Sequence, residues 1–343
     1  MSVMHRVRLP VGANVLVEVG HRVEPAEVLA NRRPPGGGTS LPVAARLRRP
    51  PAEAADLLTV RPGALLSRGD PIAADGRGRE VLATEACLFL GYDRDDGTAL
   101  VAPLESEEPV IGHVRGEVAS VTPDGIEIRV GGAMIAGVGG TGGAVHGEIV
   151  LAVDDPADEL RAGAIDVGTA GRIILGGARA SAETLTRARA MGAAGIVLGG
   201  VLDKELRDFE ATQARRQRSG GANGDFAVMM LEGFGKVGIE RELFTWFRDQ
   251  AGRTASLFGS DARLYVYDAP PPPKRRSLAR PGDRVVAHRR PHAGSGGELV
   301  RVLEGMHATA AGVPARSAIV RFDNGRTAVV PLANLEAIEP HGS

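Results

Sequence analysis

The sequence predicts a multidomain α+β protein, and three observations support that prediction. The chain has 343 residues, a length that favours two or three domains over a single core. Its hydrophobic periodicity changes near residue 153 from short β-type runs to alternating strand and helix patterns. A run of prolines and cations at 269–277 reads as a stiff linker to a further region. Together these observations predict domains at 1–152, 153–268 and 278–343.

Residues 1–152 are predicted to be β-rich. Short apolar runs such as NVLVEV and GIEIRV alternate with turns rich in Gly, Pro and Asp. One pattern of turn, apolar position, second turn and short strand occurs twice, in VGHRVEPAEVLA at 19–30 and VRPGALLSRGDPIAA at 60–74. Between the copies, paired prolines and a glycine run predict a flexible excursion over residues 31–53.

The two hairpins resemble the half-motifs of barrel-sandwich hybrid domains, the architecture shared by biotinyl and lipoyl carriers and by several non-carrier proteins. The resemblance implies a β-rich sandwich-hybrid domain. A carrier would need a modifiable lysine at an exposed hairpin tip, whereas the first lysine of this chain is Lys204. The resemblance therefore implies the fold without the carrier activity.

Residues 153–268 are predicted to form a small parallel α/β domain. The strand-like segments GRIILGG, AAGIVLGG and FAVMMLEG alternate with two helical segments, which implies right-handed crossovers and a parallel sheet. Ser181 and Asp203 are suitable helix N-caps, and a last helix is expected near 240–251. Nine of the 12 aromatic residues fall between Phe209 and Tyr267, which predicts one compact core here.

The C-terminal region carries a second family resemblance. The segment GDRVVAHRRPHAGSGGELVRV is similar to the KOW motif of ribosomal proteins and transcription-elongation factors. The matching positions are Gly282, Val285, Gly294, Gly297, Leu299 and Val302. Downstream, a strand, the turn Asp323-Asn324-Gly325 and another strand fit the same domain. The resemblance implies a five-stranded SH3-like β-barrel, a module that binds RNA, proteins or its own neighbouring domains.

Composition excludes several classes of protein. A formal net charge of −1 excludes a globally polybasic nucleic-acid coat protein. The single cysteine, Cys87, excludes an intramolecular disulfide framework and a cysteine-only zinc site. The first 20 residues lack the features of a secretory signal, and no apolar run reaches the length of a membrane span. We therefore expect a cytoplasmic protein with no membrane partner.

The first candidate site lies at the ends of the predicted parallel strands. A glycine pair ends each of two strands, and a Glu-Gly pair ends the third. Ligands of open parallel sheets bind at this carboxyl edge, where helix N-termini present amides to anions. The residues predicted to bind a small anionic ligand are Gly176, Gly177, Gly199, Gly200, Asp203, Lys204 and Glu232. The alternative is that the glycines only permit tight strand-to-helix turns.

The second candidate site is a basic segment. Residues 274–301 contain eight cations and two acids, and clustered arginines favour phosphate contacts with a nucleic acid. The predicted partner-binding residues are Lys274, Arg275, Arg276, Arg280, Arg284, Arg289 and Arg290. The alternatives are a solvated basic face, or one that docks on an acidic partner such as the tract around Glu105, Glu107 and Glu108.

Other motifs predict no metal, cofactor or catalytic residue. The glycines at 137, 139 and 142 have dinucleotide-loop spacing, but a strand follows where that loop requires a helix. His288 and His292 lie in a strand-like context with Pro291, which argues against a helical ligand pair. Cys87 has apolar neighbours and is expected to be a buried small hydrophobe.

These features favour a non-catalytic binding or assembly protein whose KOW-like domain contacts a protein or RNA partner. The alternative is an enzyme, or an enzyme's accessory subunit, that binds a small anionic ligand at the glycine-rich edge of the α/β domain. The sequence leaves the oligomeric state open.

Overall fold

A computed structural model describes residues 2–218, 226–273, 279, 281–309 and 314–338 of the chain. Strands account for 44 % of the structure and helices for 16 %, and the strands form several sheets. The predicted β-rich, multidomain character is therefore confirmed, while the identity of the individual domain types stays a prediction. Within the described residues, no helix is both long and apolar enough to cross a membrane.

The N-terminal part of the chain contains short strands, one long strand and two short helices. They are β1 (Ser2–Arg8), β2 (Asn14–Val15), β3 (Arg22–Val23), β4 (Val28–Arg32), β5 (Thr39–Leu41), α1 (Val43–Leu47), α2 (Pro51–Ala55), β6 (Leu65–Leu66), β7 (Pro71–Ala74), β8 (Glu80–Leu82), β9 (Cys87–Asp93), β10 (Thr98–Pro103), β11 (Glu108–Ile111), β12 (Gly116–Thr122), β13 (Gly125–Ala136), β14 (Gly139–Gly142) and β15 (Ala144–Leu151).

The central part contains three longer helices between strands. Its elements are β16 (Glu159–Leu160), 3₁₀ turns at Ala162–Ala164 and Val167–Thr169, β17 (Ile173–Leu175), β18 (Arg179–Ala180), α3 (Ala182–Ala190), β19 (Gly195–Val201), α4 (Asp203–Arg218), β20 (Ala227–Phe234), α5 (Arg241–Asp249), β21 (Thr254–Phe258) and β22 (Arg263–Tyr267).

The C-terminal part is made of strands and one 3₁₀ helix. Its elements are β23 (Arg284–Ala287), β24 (Gly296–Val302), β25 (His307–Ala308), β26 (Pro314–Ala315), β27 (Ser317–Phe322), β28 (Thr327–Pro331), the 3₁₀ helix Leu332–Asn334 and β29 (Leu335–Ala337). Five of these strands form one sheet in the order β28-β27-β24-β23-β29.

One large sheet joins the three predicted regions. Its strand order is β25-β26-β14-β20-β19-β17-β15-β21-β22-β13-β12-β3, and β1 also pairs with β13. The pairs β15·β17, β17·β19 and β19·β20 are parallel. The predicted parallel strands are therefore confirmed, with β15 as a fourth. Because β13, β14 and β15 pair with strands of the central region, the predicted boundary at 152/153 falls inside one continuous sheet.

The parallel strands are covered on both faces. Alternate residues of β17 point to different cores: Ile173 and Leu175 belong to the cluster that contains α5, and Ile174 belongs to the cluster that contains α3 and α4. Strands buried on both faces are expected to be apolar throughout. The aromatic residues consequently divide among separate clusters, with Phe209 on the α4 side and Trp246 on the α5 side. The prediction of one compact aromatic core was wrong.

The predicted flexible excursion at 31–53 contains regular structure. It includes the end of β4, strand β5, helix α1 and the start of α2. Val43 and Leu47 are completely buried in the core under β9 and β10. The prediction gave weight to the prolines and glycines, but apolar residues four positions apart bury one face of a helical turn, and that burial orders the segment.

The C-terminal region is docked on the carboxyl end of the parallel strands. Strand β26 pairs with β14 at the edge of the large sheet, and the Arg316 amide donates to the Val138 carbonyl at 3.0 Å. Ala333, in the 3₁₀ helix, packs against the core that contains α3 and α4. The turn after β23 contacts the end of β20, since Arg289 donates to the Phe234 carbonyl.

Candidate functional site

The strand ends that carry the glycine pairs are packed against other parts of the backbone. The amides of Gly176, Gly199 and Gly200 donate to the carbonyls of Val197, Gly177 and Ala178 at 2.8 to 3.0 Å. All four glycines of the two pairs are buried. The amides of Gly176, Gly199 and Gly200 are therefore engaged in the backbone network and do not form the predicted anion site, and Gly177 is buried beside the Asp158 carbonyl.

Close backbone approach explains why glycine occupies these positions. A Cβ atom at Gly177 would lie 2.2 Å from the Asp158 carbonyl oxygen, and one at Gly199 would lie 2.0 Å from that of Val237. Real side chains do not tolerate such distances. The alternative interpretation, that glycine permits tight packing at the strand ends, therefore describes the structure.

The glycine-rich strand β14 follows the same rule. A Cβ at Gly140 would lie 2.3 Å from the Val228 carbonyl oxygen, and one at Gly142 would lie 2.0 Å from that of Phe226. Both contacts are with the neighbouring strand region, because β14 pairs with β20. Strand β15 follows, as the sequence predicted. These glycines allow two backbones to approach and do not form a phosphate loop.

A cavity of about 290 Å³ lies beside these closed strand ends, between the parallel strands and the C-terminal region. Asp203 follows β19 and opens α4, and Phe234 is the last residue of β20. The lining residues are Asp203, Phe234, Arg289, Arg290, Pro291, His292, Ala308, Thr309, Ser317, Val329, Val330, Pro331 and Asn334. The cavity thus brings one residue of the first predicted site together with two residues of the second.

Three buried oxygen atoms on the cavity-lining residues have no hydrogen-bond partner within the described part of the chain. They are Oδ1 of Asp203, Oγ1 of Thr309 and Oδ1 of Asn334. The three residues come from different elements, since Asp203 begins α4, Thr309 follows β25 and Asn334 ends the 3₁₀ helix. Buried polar atoms are almost always paired in native proteins. The three unpartnered oxygens thus belong to residues of different elements that line the same cavity.

The charged groups of the cavity have different roles. Arg289 donates from Nη2 to the Phe234 carbonyl at 2.6 Å, which ties the turn after β23 to the end of β20. Asp203 pairs through Oδ2 with Arg207 at 3.1 Å, so that only its second oxygen is unpartnered. Arg290 is exposed and lines the cavity. Arg289 is therefore held by the backbone, Asp203 is paired through one of its two carboxylate oxygens, and Arg290 is exposed.

The remaining cavity wall is largely apolar and is fixed by packing. Val330 is 3 % exposed and belongs to the C-terminal core. His292 stacks on Phe322 with the ring centroids 4.7 Å apart, which holds the turn that carries Arg290 against that core. Ser317 donates from Oγ to the Ala315 carbonyl at 3.1 Å. A cavity with apolar walls and a few polar groups is typical of small-molecule sites.

Three other charged residues of the two predicted sites that the structure describes are not part of the cavity lining. Lys204 is exposed on α4, and Glu232 accepts a hydrogen bond from the Glu240 amide at 3.4 Å. Arg284 forms a two-bond pair with Asp323, at 2.7 and 3.0 Å. Lys274, Arg275, Arg276 and Arg280 lie outside the described residues.

This arrangement corrects the predicted basic site in part. Arg284 is committed to an internal carboxylate, and Arg289 to a backbone carbonyl. In the acidic tract that was an alternative partner for this segment, Glu108 pairs with Arg32 at 2.8 Å. Among the described residues of the predicted basic set, Arg289 and Arg290 line the cavity, and Arg290 is exposed.

The structure also shows the surroundings of Cys87 and of the two histidines His288 and His292. Cys87 is 2 % exposed, and burial raises the pKa of its thiol, so it is a buried small hydrophobe. His288 and His292 have separate partners, since His288 pairs with Glu336 at 2.7 Å and His292 stacks on Phe322. In the described ranges, no group of three or more His, Cys, Asp or Glu side chains could hold a metal ion.

Sequence reasoning missed most of the cavity. Phe234, Thr309 and Asn334 were assigned no role, because they lie in segments that are far apart in the chain and match no motif. Asn334 carried one usable signal, a polar residue between Leu332 and Leu335 in an otherwise apolar segment. No protein-family model matches the sequence, and no curated protein is significantly similar to it. Function is therefore inferred from the residues of the cavity.

Proposed function

We propose that this chain is a binding protein that holds a small acid-bearing molecule in the cavity between the parallel strands and the C-terminal region. The observation that supports the proposal most directly is the lining of that cavity, which places the exposed Arg290 beside the apolar residues Phe234 and Pro331. A concave site with apolar walls and a few polar groups is typical of small-molecule binding.

Arg290 is the residue we assign to the acid group. Its guanidinium is a planar donor that suits a carboxylate or a phosphate. Arg289 has the same chemistry but is held by the Phe234 carbonyl. In the proposal Arg289 therefore fixes the turn after β23, and Arg290, its neighbour on that turn, contacts the ligand.

The size and the walls of the cavity support a small ligand with an apolar body. A volume of about 290 Å³ corresponds to roughly ten water molecules at about 30 Å³ each. Phe234, Val330 and Pro331 supply apolar surface. Contact of the C-terminal region with a protein or RNA partner through another surface stays a prediction, which no contact described above favours.

A ligand screen on the full chain tests the proposal. Small carboxylic acids and phosphate monoesters with apolar bodies would be added at millimolar concentration, and the melting temperature would be measured. A ligand at 100 times its dissociation constant stabilises the folded protein by about 2.7 kcal/mol. We expect at least one compound to raise the melting temperature, with calorimetry then giving its affinity.

Two variants decide whether the binding occurs in the cavity. Arg290→Gln is expected to weaken an acidic ligand at least tenfold, because it removes the charged donor. Arg301→Gln is the matched control, since Arg301 is also an exposed arginine of the C-terminal region but does not line the cavity. The proposal fails if no compound binds, or if the two variants weaken binding equally.

A further inference from the structure

Strand β28 is an edge strand of the C-terminal sheet and borders the cavity. It pairs with β27 on one side, and in the described structure no strand pairs with its other side. Val329, Val330 and Pro331 of this strand line the cavity, and Val329 is 53 % exposed. An edge of this kind presents main-chain donors and acceptors to which an extended chain can be added.

The register of β28 shows which of its main-chain groups face outward. In an antiparallel pair, residue pairs that exchange hydrogen bonds alternate with pairs that exchange none. The Leu332 amide donates to the Arg316 carbonyl at 2.8 Å, so this pair and every second pair along the two strands exchange hydrogen bonds. Thr327 and Val329 belong to the other set. Their amides and carbonyls therefore point away from β27, and within the described part of the chain no main-chain bond engages them.

Pro331 agrees with this assignment of the outward groups. It pairs with Ser317 in the same set as Val329, so the amide hydrogen that proline lacks would have faced outward. Proline is tolerated in a sheet at such an edge position. Because Val329 and Pro331 line the cavity while Thr327 does not, a chain added along β28 from Thr327 leads into the cavity.

We infer that the acid-bearing ligand is the C-terminal end of an extended peptide, which adds as a strand to β28 and places its last residue in the cavity with its carboxylate on Arg290. This inference rests on the proposed function and narrows it. Arg290 is exposed and lines the same cavity as Val329, and a guanidinium complements a carboxylate.

The chemistry of the cavity favours a chain end with an apolar side chain. Only the last residue of a peptide carries a main-chain carboxylate, so the charge of Arg290 distinguishes a chain end from an internal segment. Phe234 and Val330 supply apolar wall for the last side chain. In strand addition, the main-chain hydrogen bonds supply affinity and the pockets for side chains supply specificity.

Peptides that share a last residue with a shorter ligand test the inference. Calorimetry on the full chain would measure acetylated hexapeptides of threonine and serine that end in alanine, valine, leucine or phenylalanine, each beside the N-acetylated form of its last residue alone. We expect at least one peptide to bind at least tenfold more tightly than its short partner, because only the peptide can pair with Thr327 and Val329. Conversion of its terminal carboxylate to an amide should weaken binding at least tenfold.

Methylation of the peptide amides tests the strand geometry without any change in the protein. A strand added to an edge donates from alternate amides. Two forms of the peptide would be made, each N-methylated at one of the two alternating sets of amides before the last residue. One form should lose at least tenfold in affinity and the other less than threefold, whereas a ligand held only by its last residue would respond equally to both.

A proline substitution links the peptide to β28. Thr327→Pro removes an outward amide and should reduce the tenfold advantage of the peptide to less than threefold. Ala337→Pro is the matched control on β29, the opposite edge of the sheet. The Ile338 amide donates to the Arg284 carbonyl at 2.7 Å, so the Ala337 amide, one residue earlier, also faces outward. This control should keep the full advantage. Circular dichroism checks the fold of both variants, and the methylated peptides decide if Thr327→Pro does not fold.

The outcomes separate this inference from the proposed function. If no peptide binds more tightly than its last residue alone, or if only other acids from the screen bind, strand addition is overturned while the small-acid site stands. Strand addition is also overturned if the two methylated forms, or the two folded proline variants, bind equally. If the amidated peptide binds as tightly as the free acid, the pairing of the chain end with Arg290 is overturned. If no compound binds at all, both proposals fail.

Discussion

The strand-end glycines and the cavity lie at the same carboxyl edge of the parallel strands, but they differ in how closely the backbone is packed and in how polar atoms are paired. At Gly177 and Gly199 the backbone approaches so closely that a single added carbon would collide with a carbonyl oxygen. A short distance along the edge, Asp203 and Asn334 keep oxygens without a partner in the described structure. The first region is closed by internal contacts, whereas the second borders the cavity that we propose as a ligand site.

Glycines and polar residues carry different information about this edge of the sheet. Glycine reports how near one backbone comes to another, which is a property of packing. Asp203, Thr309 and Asn334 instead line the cavity that we propose as a ligand site. That a ligand binds at this edge stays a prediction, and the glycines there serve close packing of the backbone.

The largest expected effect comes from adding one carbon to the closed region. Gly199→Ala places a Cβ 2.0 Å from the Val237 carbonyl oxygen in a fully buried strand. Overpacking a core typically costs 1 to 3 kcal/mol, and because this contact is with backbone we expect a loss of at least about 3 kcal/mol. Urea unfolding followed by the fluorescence of Trp246, the single tryptophan, measures the loss.

A glycine in open space provides the control for this change. A Cβ at Gly163 meets nothing within 4 Å, so Gly163→Ala should change the free energy of unfolding by no more than about 0.5 kcal/mol. Equal stabilities of the two variants would contradict the conclusion that close packing requires glycine at position 199.

The next effect concerns a buried polar group that has its partner. His5 is 7 % exposed, and its Nδ1 lies 3.1 Å from the Tyr265 hydroxyl oxygen. Burial, followed by the charge of Arg263, lowers the pKa of His5 to about 4, although Asp261 acts in the opposite direction. Unlike Asp203 Oδ1, this ring has a partner within the described structure, but it is matched to its surroundings only when it is neutral.

Acidification should therefore destabilise the protein through His5. Between pH 6.5 and pH 4 the unfolded chain binds a proton that the folded protein does not, so stability is fully present above pH 6.5 and falls as the pH falls. From pH 7.5 to pH 5 the histidine contributes a loss of about 2 kcal/mol. His5→Phe should lose that much less over the same interval. Identical pH dependence of unfolding in the two proteins would rule out this role.

The sequence predicted the fold where local patterns determine structure. The parallel strands β17, β19 and β20 contain the segments GRIILGG, AAGIVLGG and FAVMMLEG. A continuous apolar run is expected for a strand that is buried on both faces of a sheet. Ser181 caps α3 as expected, accepting from the Thr184 amide at 3.2 Å. These features need only residues that are neighbours in the chain.

Features that depend on distant residues were not predictable in the same way. The pairing of β13 with β22 joins residues more than 100 positions apart. The sequence of neither strand indicates which strand it pairs with. The cavity combines α4, the end of β20 and the C-terminal strands for the same reason. Asp203 and Arg290 were each singled out, but only the folded chain brings them to one space.

The smallest expected effect compares two carboxylates of one helix. Glu205 accepts from the Ala182 amide at 2.6 Å, whereas Asp203, two residues earlier, keeps Oδ1 unpartnered. Glu205→Ala removes a hydrogen bond to a charged acceptor, and we expect it to cost about 1.5 kcal/mol. Urea unfolding without added ligand measures both variants under the same conditions.

Asp203→Ala should behave differently in that experiment. It removes the pair with Arg207, an exposed i,i+4 pair worth about 0.3 to 0.5 kcal/mol, but it also removes an oxygen whose burial without a partner opposes folding. The two contributions nearly cancel, so stability should stay the same or rise by up to about 1 kcal/mol. A loss as large as that of Glu205→Ala would show that Asp203 supports the fold itself, and the contrast between the closed and open regions would no longer extend to this helix.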